Sequence, residues 1–312
     1  MSELKIRPIS EQLQKIAVEE LNEVPERIDA DIEAVRTWIK QQPHLRARDD
    51  DQFLIAFLRG CKYSLEKVKG KIDKFYTFRT KYPECFGAFD VDDEDVRRII
   101  NAGVFLVLPS PLGEHGPRII LIRQGALSAD KYTMEQFGRT ASYIQEITIR
   151  DDDNTLISGM ISIIDLEGCT AAHVVQMMPS VMKKLSVQAE EAVPWRPKQQ
   201  HFIHTPSGFE VVFNMFKPLM SKKQQERISV HADNLDSLFD KIPQRYLPVE
   251  YGGENGTIPE IIAQMHKQLD EYREYFRENV NYGTDENLRV GKPIDFDGLF
   301  GVEGSFRKLE VD

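Results

Sequence analysis

Basic residues are concentrated in one stretch of an otherwise acidic chain. The 312 residues include 40 basic and 50 acidic side chains, which gives a net charge of −10. The segment from Pro194 to His231 has a positive net charge, because it contains six basic residues and only two acidic ones, Glu210 and Glu226. The six are Arg196, Lys198, Lys217, Lys222, Lys223 and Arg227. Converging cations can bind a phosphorylated group through charge-assisted hydrogen bonds, although an ordinary solvated surface can have the same composition.

The segment between these cations predicts a helix over residues 209–220 with a wide apolar arc. One face and its flank carry Phe209, Val211, Val212, Phe213, Met215, Phe216, Leu219 and Met220. Such an arc favours a helix that is buried on most sides. The alternative is a lid that covers an apolar cavity with one surface and meets a membrane with the other.

The elements around this segment predict an α/β protein. Four amphipathic stripes within the first hundred residues indicate a bundle-like helical unit. Short apolar runs then alternate with helical stretches, which predicts a mainly parallel sheet covered by helices. We therefore expect an N-terminal helical unit at 10–90, a ligand-binding domain at 91–280 and an irregular tail at 281–312, with 258–278 forming one long helix. The tail is expected to pack along the surface.

Motifs for catalysis or nucleotide binding are missing from the sequence. It contains no G-x-G-x-x-G, no phosphate-binding G-x-x-x-x-G-K-[ST] loop and no G-x-S-x-G nucleophile elbow. His201 and His204 are three apart in a predicted strand and would point to opposite faces, which excludes a shared metal. Asp151, Asp152 and Asp153 are expected to form a solvated loop. The sequence predicts no enzyme, no cofactor and no metal, and the net charge argues against nucleic-acid binding.

Cysteine usage and hydropathy bear on where the protein works. Cys61, Cys85 and Cys169 are too few and too scattered for a disulfide framework, which fits a reducing compartment. The N-terminus has no apolar signal-peptide segment, and no apolar run reaches the roughly 18 residues of a membrane span. We expect a cytoplasmic protein.

Four strings in order along the chain resemble the CRAL-TRIO lipid-transfer family. They are DQFLIAFLRGCKY at 51–63, IIDLEGCT at 163–170, the region PWRPKQQHFIHTPSGFEVVFNMFKPLMSKKQQERISVH at 194–231, and LPVEYGG at 247–253. The resemblance implies the fold described above and a non-enzymatic carrier of a small hydrophobic lipid of tocopherol or retinoid type. It further implies that the 209–220 helix is a mobile gate over the lipid cavity.

The resemblance also implies a basic cleft that binds phosphatidylinositol bisphosphate at membranes, to which the carrier associates reversibly. Matched string by string, the cleft residues are Arg59, Arg196, Lys198, Lys223 and Arg227. The last two are four positions apart and would share one helix face. Gly60 and Cys61 replace the Ala-Arg usual in the family, and His204 replaces a common Asn.

Residues that contact the cargo are drawn from apolar positions of the gate and nearby elements. The candidates are Tyr143, Ile147, Ile163, Phe202, Phe209, Val212, Phe213 and Phe216, each of which could instead belong to the core. Three alternative functions stay open: a phosphoinositide-reading adaptor without cargo, a protein that exchanges phosphatidylinositol itself, and an esterase that acts on the bound lipid.

Overall fold

The computed structural model describes residues 5–296 and residue 298. Residues 1–4, 297 and 299–312, which include the end of the predicted tail, and the side chain of Leu219 lie outside the described part. Within that part, no helix is both long enough and apolar enough to cross a bilayer.

Helices make up the N-terminal unit, as predicted. They are α1 (Glu11–Leu21), α2 (Ile28–Lys40), α3 (Asp51–Gly60), α4 (Leu65–Lys81) and α5 (Pro83–Phe86). The side chains of Ser10 and Asp50 begin α1 and α3 by accepting hydrogen bonds from backbone N–H groups three residues later. Helix α3 is apolar almost all round, and its residues from Gln52 to Arg59 are buried against the neighbouring helices.

A five-stranded sheet forms the second part of the fold, in the order β2-β3-β4-β5-β6. The strands are β2 (Phe105–Val107), β3 (Arg118–Arg123), β4 (Met160–Asp165), β5 (Pro197–Ile203) and β6 (Ile228–Ala232). Only the β2–β3 pair is antiparallel, and the other three pairs are parallel. The predicted α/β class with a mainly parallel sheet is confirmed.

Helices surround the sheet and connect its strands. They are α6 (Glu94–Asn101), α7 (Met134–Asp151), α8 (Asp153–Ile157), α9 (Ala171–Gln176), α10 (Pro179–Glu191), α11 (Phe209–Phe216), α12 (Lys222–Gln225), α13 (Leu235–Phe239), α14 (Ile258–Glu271) and α15 (Arg273–Glu278). Thr133 and Gln136 form a capping box that begins α7.

Two helix predictions need correction. The helix expected over 209–220 ends at Phe216 and continues as a single 3-10 turn over Lys217–Leu219. Pro218 explains the change, because it has no N–H to extend the α-helical ladder. The single helix expected over 258–278 is divided at Tyr272 into α14 and α15.

The beginning of the predicted tail packs on the N-terminal unit. Strand β7 (Gly283–Thr284) pairs antiparallel with β1 (Leu45–Arg46). Arg289 then forms an ion pair with Asp73 of α4 at 2.6 Å. This part of the tail is therefore a strap along the surface, as expected, although it contains a short strand where an irregular segment was predicted.

A basic cleft beside an exposed apolar helix

Four of the five predicted cleft residues lie together on one surface. A cleft of about 710 Å³ opens between α4 on one side and β5 with α12 on the other. Its cations are Lys62, Lys67, Lys71, Lys74, Arg196, Lys198, Lys223 and Arg227, against the acids Glu66, Glu190 and Glu191. Four of the six cations counted in the sequence therefore line one concave site, whereas Lys217 and Lys222 do not line it.

Glycine at position 60 forms the floor of the cleft, where the two parts of the fold touch. A Cβ placed on Gly60 would lie 2.2 Å from the carbonyl oxygen of Pro194. Helix α3 therefore ends directly against the segment that leads into β5. Only glycine permits this approach without displacing one of the two backbones.

The β5 and α12 side, which we call the sheet wall, carries the four cations predicted from the sequence. Arg196 and Lys198 flank the first residue of β5 and share one acid, Glu20 of α1, at 3.5 and 3.2 Å. Lys223 lies in α12, which begins with a Ser221 capping box, whereas Arg227 follows the helix after it has ended at Gln225. Both side chains line the same cleft. They do not lie on one helix face, which differs from the expectation.

The α4 side, which we call the lysine wall, was missed by the sequence analysis. It consists of Lys62, Lys67, Lys71 and Lys74. The last three are spaced at i, i+4 and i+7, which places them on one face of α4 and could have indicated the wall.

The cations of the cleft disfavour one another electrostatically. Burial and then repulsion from Arg196 and Lys198 lower the pKa of Lys62. Burial likewise lowers the pKa of Arg196, and the charge of Arg227 adds to the effect. Among the described residues, five of these cations form no ion pair with a carboxylate: Lys62, Lys67, Lys71, Lys223 and Arg227. Of these, Lys71 donates to backbone carbonyl oxygens. An anion in the cleft would relieve this repulsion.

Arg59 does not belong to the cleft, which corrects its predicted role. Only 2% of this residue is exposed. Its Nε donates to Glu23 at 2.9 Å and its Nη1 donates to Asp153 at 3.3 Å. Position 59 faces the interior because α3 buries this side against α1 and α8, and the cleft is reached only at Gly60 and Cys61.

The three consecutive aspartates are not a solvated loop, which is a second correction. Asp152 caps α8 and forms an ion pair with Arg118 at 2.6 Å. Asp153 is buried and joins Arg7 to Arg59. Asp152 and Asp153 therefore connect α8 to the rest of the fold, because their carboxylates form ion pairs with arginines from other segments.

Helix α11 is not buried on most sides, so the favoured interpretation of a buried helix was wrong. None of its residues is fully buried. Phe209 and Phe213 face Phe202 of β5 with ring centroids 5.4 and 5.9 Å away. On the outer face Val211 is 68% and Met215 64% exposed. Val212 and Phe216 are half-buried on the inner face.

Three of the eight predicted cargo residues lie elsewhere. Ile163 pairs in register with His201, whereas Phe202 pairs with Ile164. Neighbouring residues of a strand point to opposite faces, so Ile163 faces away from α11 and Ile164 faces toward it. Half-buried Ile164 and the half-exposed Val230, which pairs with Phe202 on β6, were missed by the sequence analysis.

Tyr143 and Ile147 of α7 are the other two that do not meet the gate. The Tyr143 hydroxyl accepts from the backbone N–H groups of Phe89 and Asp90 and donates to the Asp90 carbonyl, and its ring packs on Phe276. Ile147 lines a small internal cavity of about 30 Å³ with residues of α6 and α14. Both contacts are structural.

His201 lies in β5 and His204 follows the last residue of that strand, and the two contact different partners. His201 is buried and its Nδ1 lies 2.9 Å from Nε2 of His231. His204 instead contacts Asp165 at 2.9 Å, and Glu167 completes a group whose ligand atoms lie within 4.8 Å of one another. The Asp165 carboxylate already accepts from the Tyr251 hydroxyl and the Glu167 N–H. These bonds give the group a structural role at the end of β4.

Two family models match consecutive parts of the chain, and one solved structure aligns with most of it. Residues 102–253 match the family described as "CRAL/TRIO domain", and residues 24–96 match the one described as "Pinta-like, UBA domain". The crystal structure of Sfh5 aligns with 85% of this chain and 100% of its own, at a TM-score of 0.46 and 12% sequence identity.

Curated proteins are similar over most of the chain. "Alpha-tocopherol transfer protein-like" of Mus musculus is 28% identical over 253 residues, which is 80% of this chain and 72% of that protein. "Clavesin-1" of Rattus norvegicus is 28% identical over 241 residues, covering 77% of this chain and 67% of that protein. "Clavesin-2" of Homo sapiens is 26% identical over 254 residues, covering 81% and 77%. The resemblance inferred from the four strings is confirmed.

Proposed function

We propose that this chain, whose residues 102–253 match the CRAL/TRIO domain family, is a carrier of a small hydrophobic lipid of tocopherol or retinoid type. In this proposal it exchanges cargo at membranes that display phosphatidylinositol bisphosphate. The observation that carries the proposal is the position of the basic cleft directly beside a helix whose outer face is apolar and exposed. In the proposed arrangement, residues 10–90 support the cleft and residues 91–280 hold the cargo.

The apolar side of α11 supports a chamber for cargo. Phe209 and Phe213 stack on each other at 5.6 Å and both face Phe202 on the sheet. None of the three belongs to the buried clusters that form the core. Half-buried aromatic residues over an apolar sheet face suit a ligand without charge, whose burial is driven by the hydrophobic effect.

The opposite side of α11 supports contact with a membrane. Val211 and Met215 project from it, and Val175 and Met178 near the start of α10 are 77% and 56% exposed. Apolar side chains on a short helix beside cations are typical of surfaces that enter the lipid headgroup region. The basic cleft would then meet the headgroups of the same bilayer.

A short connection links the cleft to the gate. The Gln225 amide of α12 donates to the carbonyl oxygens of Lys217 and Met220, which end the gate segment. Lys223 precedes Gln225 by two positions, and Arg227 follows it by two. A headgroup bound at these cations would therefore act on the end of the gate, and would release cargo if it favours the open position.

The proposal also includes a cytoplasmic location and no catalytic activity. The three cysteines are unpaired and two of them are buried, which suits the reducing cytoplasm. We propose no catalytic step, because the sequence contains no nucleophile elbow and the relatives named above include transfer proteins.

A transfer assay tests the function. A fluorescent tocopherol analogue is loaded into the protein and its movement to acceptor vesicles is followed with and without phosphatidylinositol 4,5-bisphosphate. We expect the phosphoinositide to accelerate transfer, and Lys223→Ala with Arg227→Ala to abolish the acceleration. Lys222→Ala is the control, because Lys222 precedes Lys223 but does not line the cleft. Acceleration that persists in the double variant would refute the coupling, and failure to bind the analogue would refute the cargo class.

A further inference from the structure

The lysine wall is a feature of the cleft that the predicted headgroup site did not include. It faces the sheet wall across the cleft and contributes half of its cations. Helix α4 and the turn before it supply all four lysines, so this wall belongs to the N-terminal unit and the other wall to the sheet. A ligand that contacts both walls would bridge the two parts of the protein.

Two of the four lysines hold the wall in place. The Lys71 ammonium donates to the backbone carbonyl oxygens of Glu190 and Val193 at 2.7 and 2.6 Å, at the end of α10. Lys74 forms an ion pair with Glu191 at 2.7 Å. These bonds fix α4 against α10. The start of α12 is joined to the same helix, because Ser221 donates to Glu190 and Gln224 donates to Ser186, both at 3.1 Å. Both walls are therefore held against α10 before a ligand arrives. Preorganisation of this kind reduces the entropy that binding costs.

Lys62 and Lys67 have a different environment. Both are exposed at the cleft, and neither forms an ion pair with a carboxylate of the described residues. Lys62 adopts a left-handed backbone conformation with φ of 52°, which is unfavourable for a residue with a Cβ. Its ammonium is close enough to Arg196, Lys198 and Lys223 for their charges to lower its pKa. The fold therefore holds uncompensated cations at both walls.

We propose that the cleft binds a ligand with two phosphate monoesters, one at each wall, and that Lys62 and Lys67 select it over a ligand with one phosphate monoester. Lys223 and Arg227 bind the phosphate at the sheet wall. The proposal rests on the proposed function and adds the residues that determine headgroup specificity. The cleft volume of about 710 Å³ lies within the range of sites that hold small molecules, about 300–1,000 Å³.

A comparison of binding to two lipids distinguishes the roles of the two walls. Vesicles with phosphatidylinositol 4-phosphate or phosphatidylinositol 4,5-bisphosphate, matched in total charge, are titrated with the full chain. We expect the bisphosphate to bind about tenfold more tightly, since a second phosphate gains charge-assisted hydrogen bonds. Lys62→Ala with Lys67→Ala is expected to remove this preference and leave monophosphate binding within about twofold of the original. Lys223→Ala with Arg227→Ala is expected to weaken both.

The matched control removes two charges elsewhere. Lys69 lies on α4 but pairs with Glu66 and does not line the cleft, and Lys15 lies on α1. Lys15→Ala with Lys69→Ala should keep the preference. Titration with the soluble headgroups glycerophosphoinositol 4-phosphate and glycerophosphoinositol 4,5-bisphosphate, which carry one and two phosphate monoesters, then distinguishes the sources. Equal preference in solution assigns selection to the phosphates alone, and preference only on vesicles adds a contribution from the membrane.

The outcomes separate this inference from the proposed function. If the original protein prefers the bisphosphate and the Lys62 and Lys67 variant keeps the preference, the role of the lysine wall is wrong while the function stands. If that variant weakens both lipids equally, the wall only attracts anions and selects nothing, which also overturns the inference. If the original protein binds neither lipid, the headgroup site of the proposed function fails together with it.

Discussion

Replacing Arg59 tests the most consequential correction, namely that this residue supports the fold and does not bind a headgroup. In Arg59→Met the flexible apolar side chain keeps much of the volume but loses the charge. The carboxylate of Glu23 is 1% exposed and would keep only the Gln14 amide and the Tyr63 hydroxyl as hydrogen-bond donors. Asp153, 8% exposed, would retain Arg7 at 2.7 Å.

The expected loss follows from the charge that remains buried. Burial opposes ionisation of Glu23, but the hydrogen bonds and charge of Arg59 outweigh it and keep the pKa of this carboxyl below its ordinary value. Removing one partner of a buried ion pair costs about 3–5 kcal/mol, because the other charge stays without compensation. We expect a value near the lower end, since Gln14 and Tyr63 still contact Glu23. This is a large share of the roughly 5–15 kcal/mol that typical domains have.

Urea unfolding followed by tryptophan fluorescence measures this loss. The double variant Arg59→Met with Glu23→Gln is the informative companion, because a neutral amide no longer needs the arginine. We expect it to recover at least half of the lost free energy of unfolding. Arg59→Lys should be intermediate, since one ammonium cannot replace the bidentate guanidinium.

The reasoning is refuted by a specific combination of results. If Arg59→Met lowers the free energy of unfolding by less than about 1 kcal/mol, the ion pair does not carry the role assigned to it. If the folded variant also fails to bind phosphoinositide vesicles, Arg59 belongs to the cleft as the sequence had suggested. Retained vesicle binding in a destabilised protein is the expected result.

Three further predictions address the gate, the sheet and the cleft floor. Val211→Glu with Met215→Glu should abolish co-sedimentation with vesicles and change the free energy of unfolding by less than about 0.5 kcal/mol, because both side chains are exposed; binding of soluble inositol phosphates should persist. Burial, then the charges of His231 and Lys241, lower the pKa of His201 to about 4. Because the unfolded chain takes up this proton near pH 6.5, stability should fall as the pH decreases from about 7 to 4, by up to about 3 kcal/mol. His201→Asn should flatten that dependence in urea unfolding at several pH values, and an unchanged slope would contradict the assignment. Gly60→Ala should cost about 1–3 kcal/mol by pressing on Pro194, and a neutral effect in thermal unfolding would show that the floor can relax.

Apolar patterns were sufficient to predict many of the elements. The stripes of α1 to α4 marked helices. Strands β3 and β4 were identified as short continuous apolar runs, because both faces of a covered parallel sheet are buried. Element ends depended on local chemistry, so Pro218 shortened the gate helix although the apolar pattern continued past it. No sequence feature marked the break at Tyr272.

The site was predictable only where its residues are close in sequence. Arg196, Lys198, Lys223 and Arg227 lie within one stretch, and their excess charge could be counted. The lysine wall comes from more than a hundred residues earlier, so only the fold brings it to the cleft.

Most errors in the predicted site residues arose because the sequence did not show which way a side chain points. The neighbours Ile163 and Ile164 are equally apolar, and only the strand register shows which one faces the gate. Similarly, Arg59 and Gly60 are adjacent, but a helix turns by about 100° between them, so one is buried and the other is in the cleft.

The central claim is that a basic cleft and an apolar chamber act together in one carrier. It is tested most directly by native mass spectrometry of the protein after incubation with a total lipid extract, before and after vesicles with phosphatidylinositol 4,5-bisphosphate are added. We predict one molecule of a single small hydrophobic lipid per chain, which is lost when those vesicles are present and retained with vesicles of phosphatidylcholine alone. A protein that stays empty, or that holds a whole phosphatidylinositol in place of such a lipid, would contradict the account.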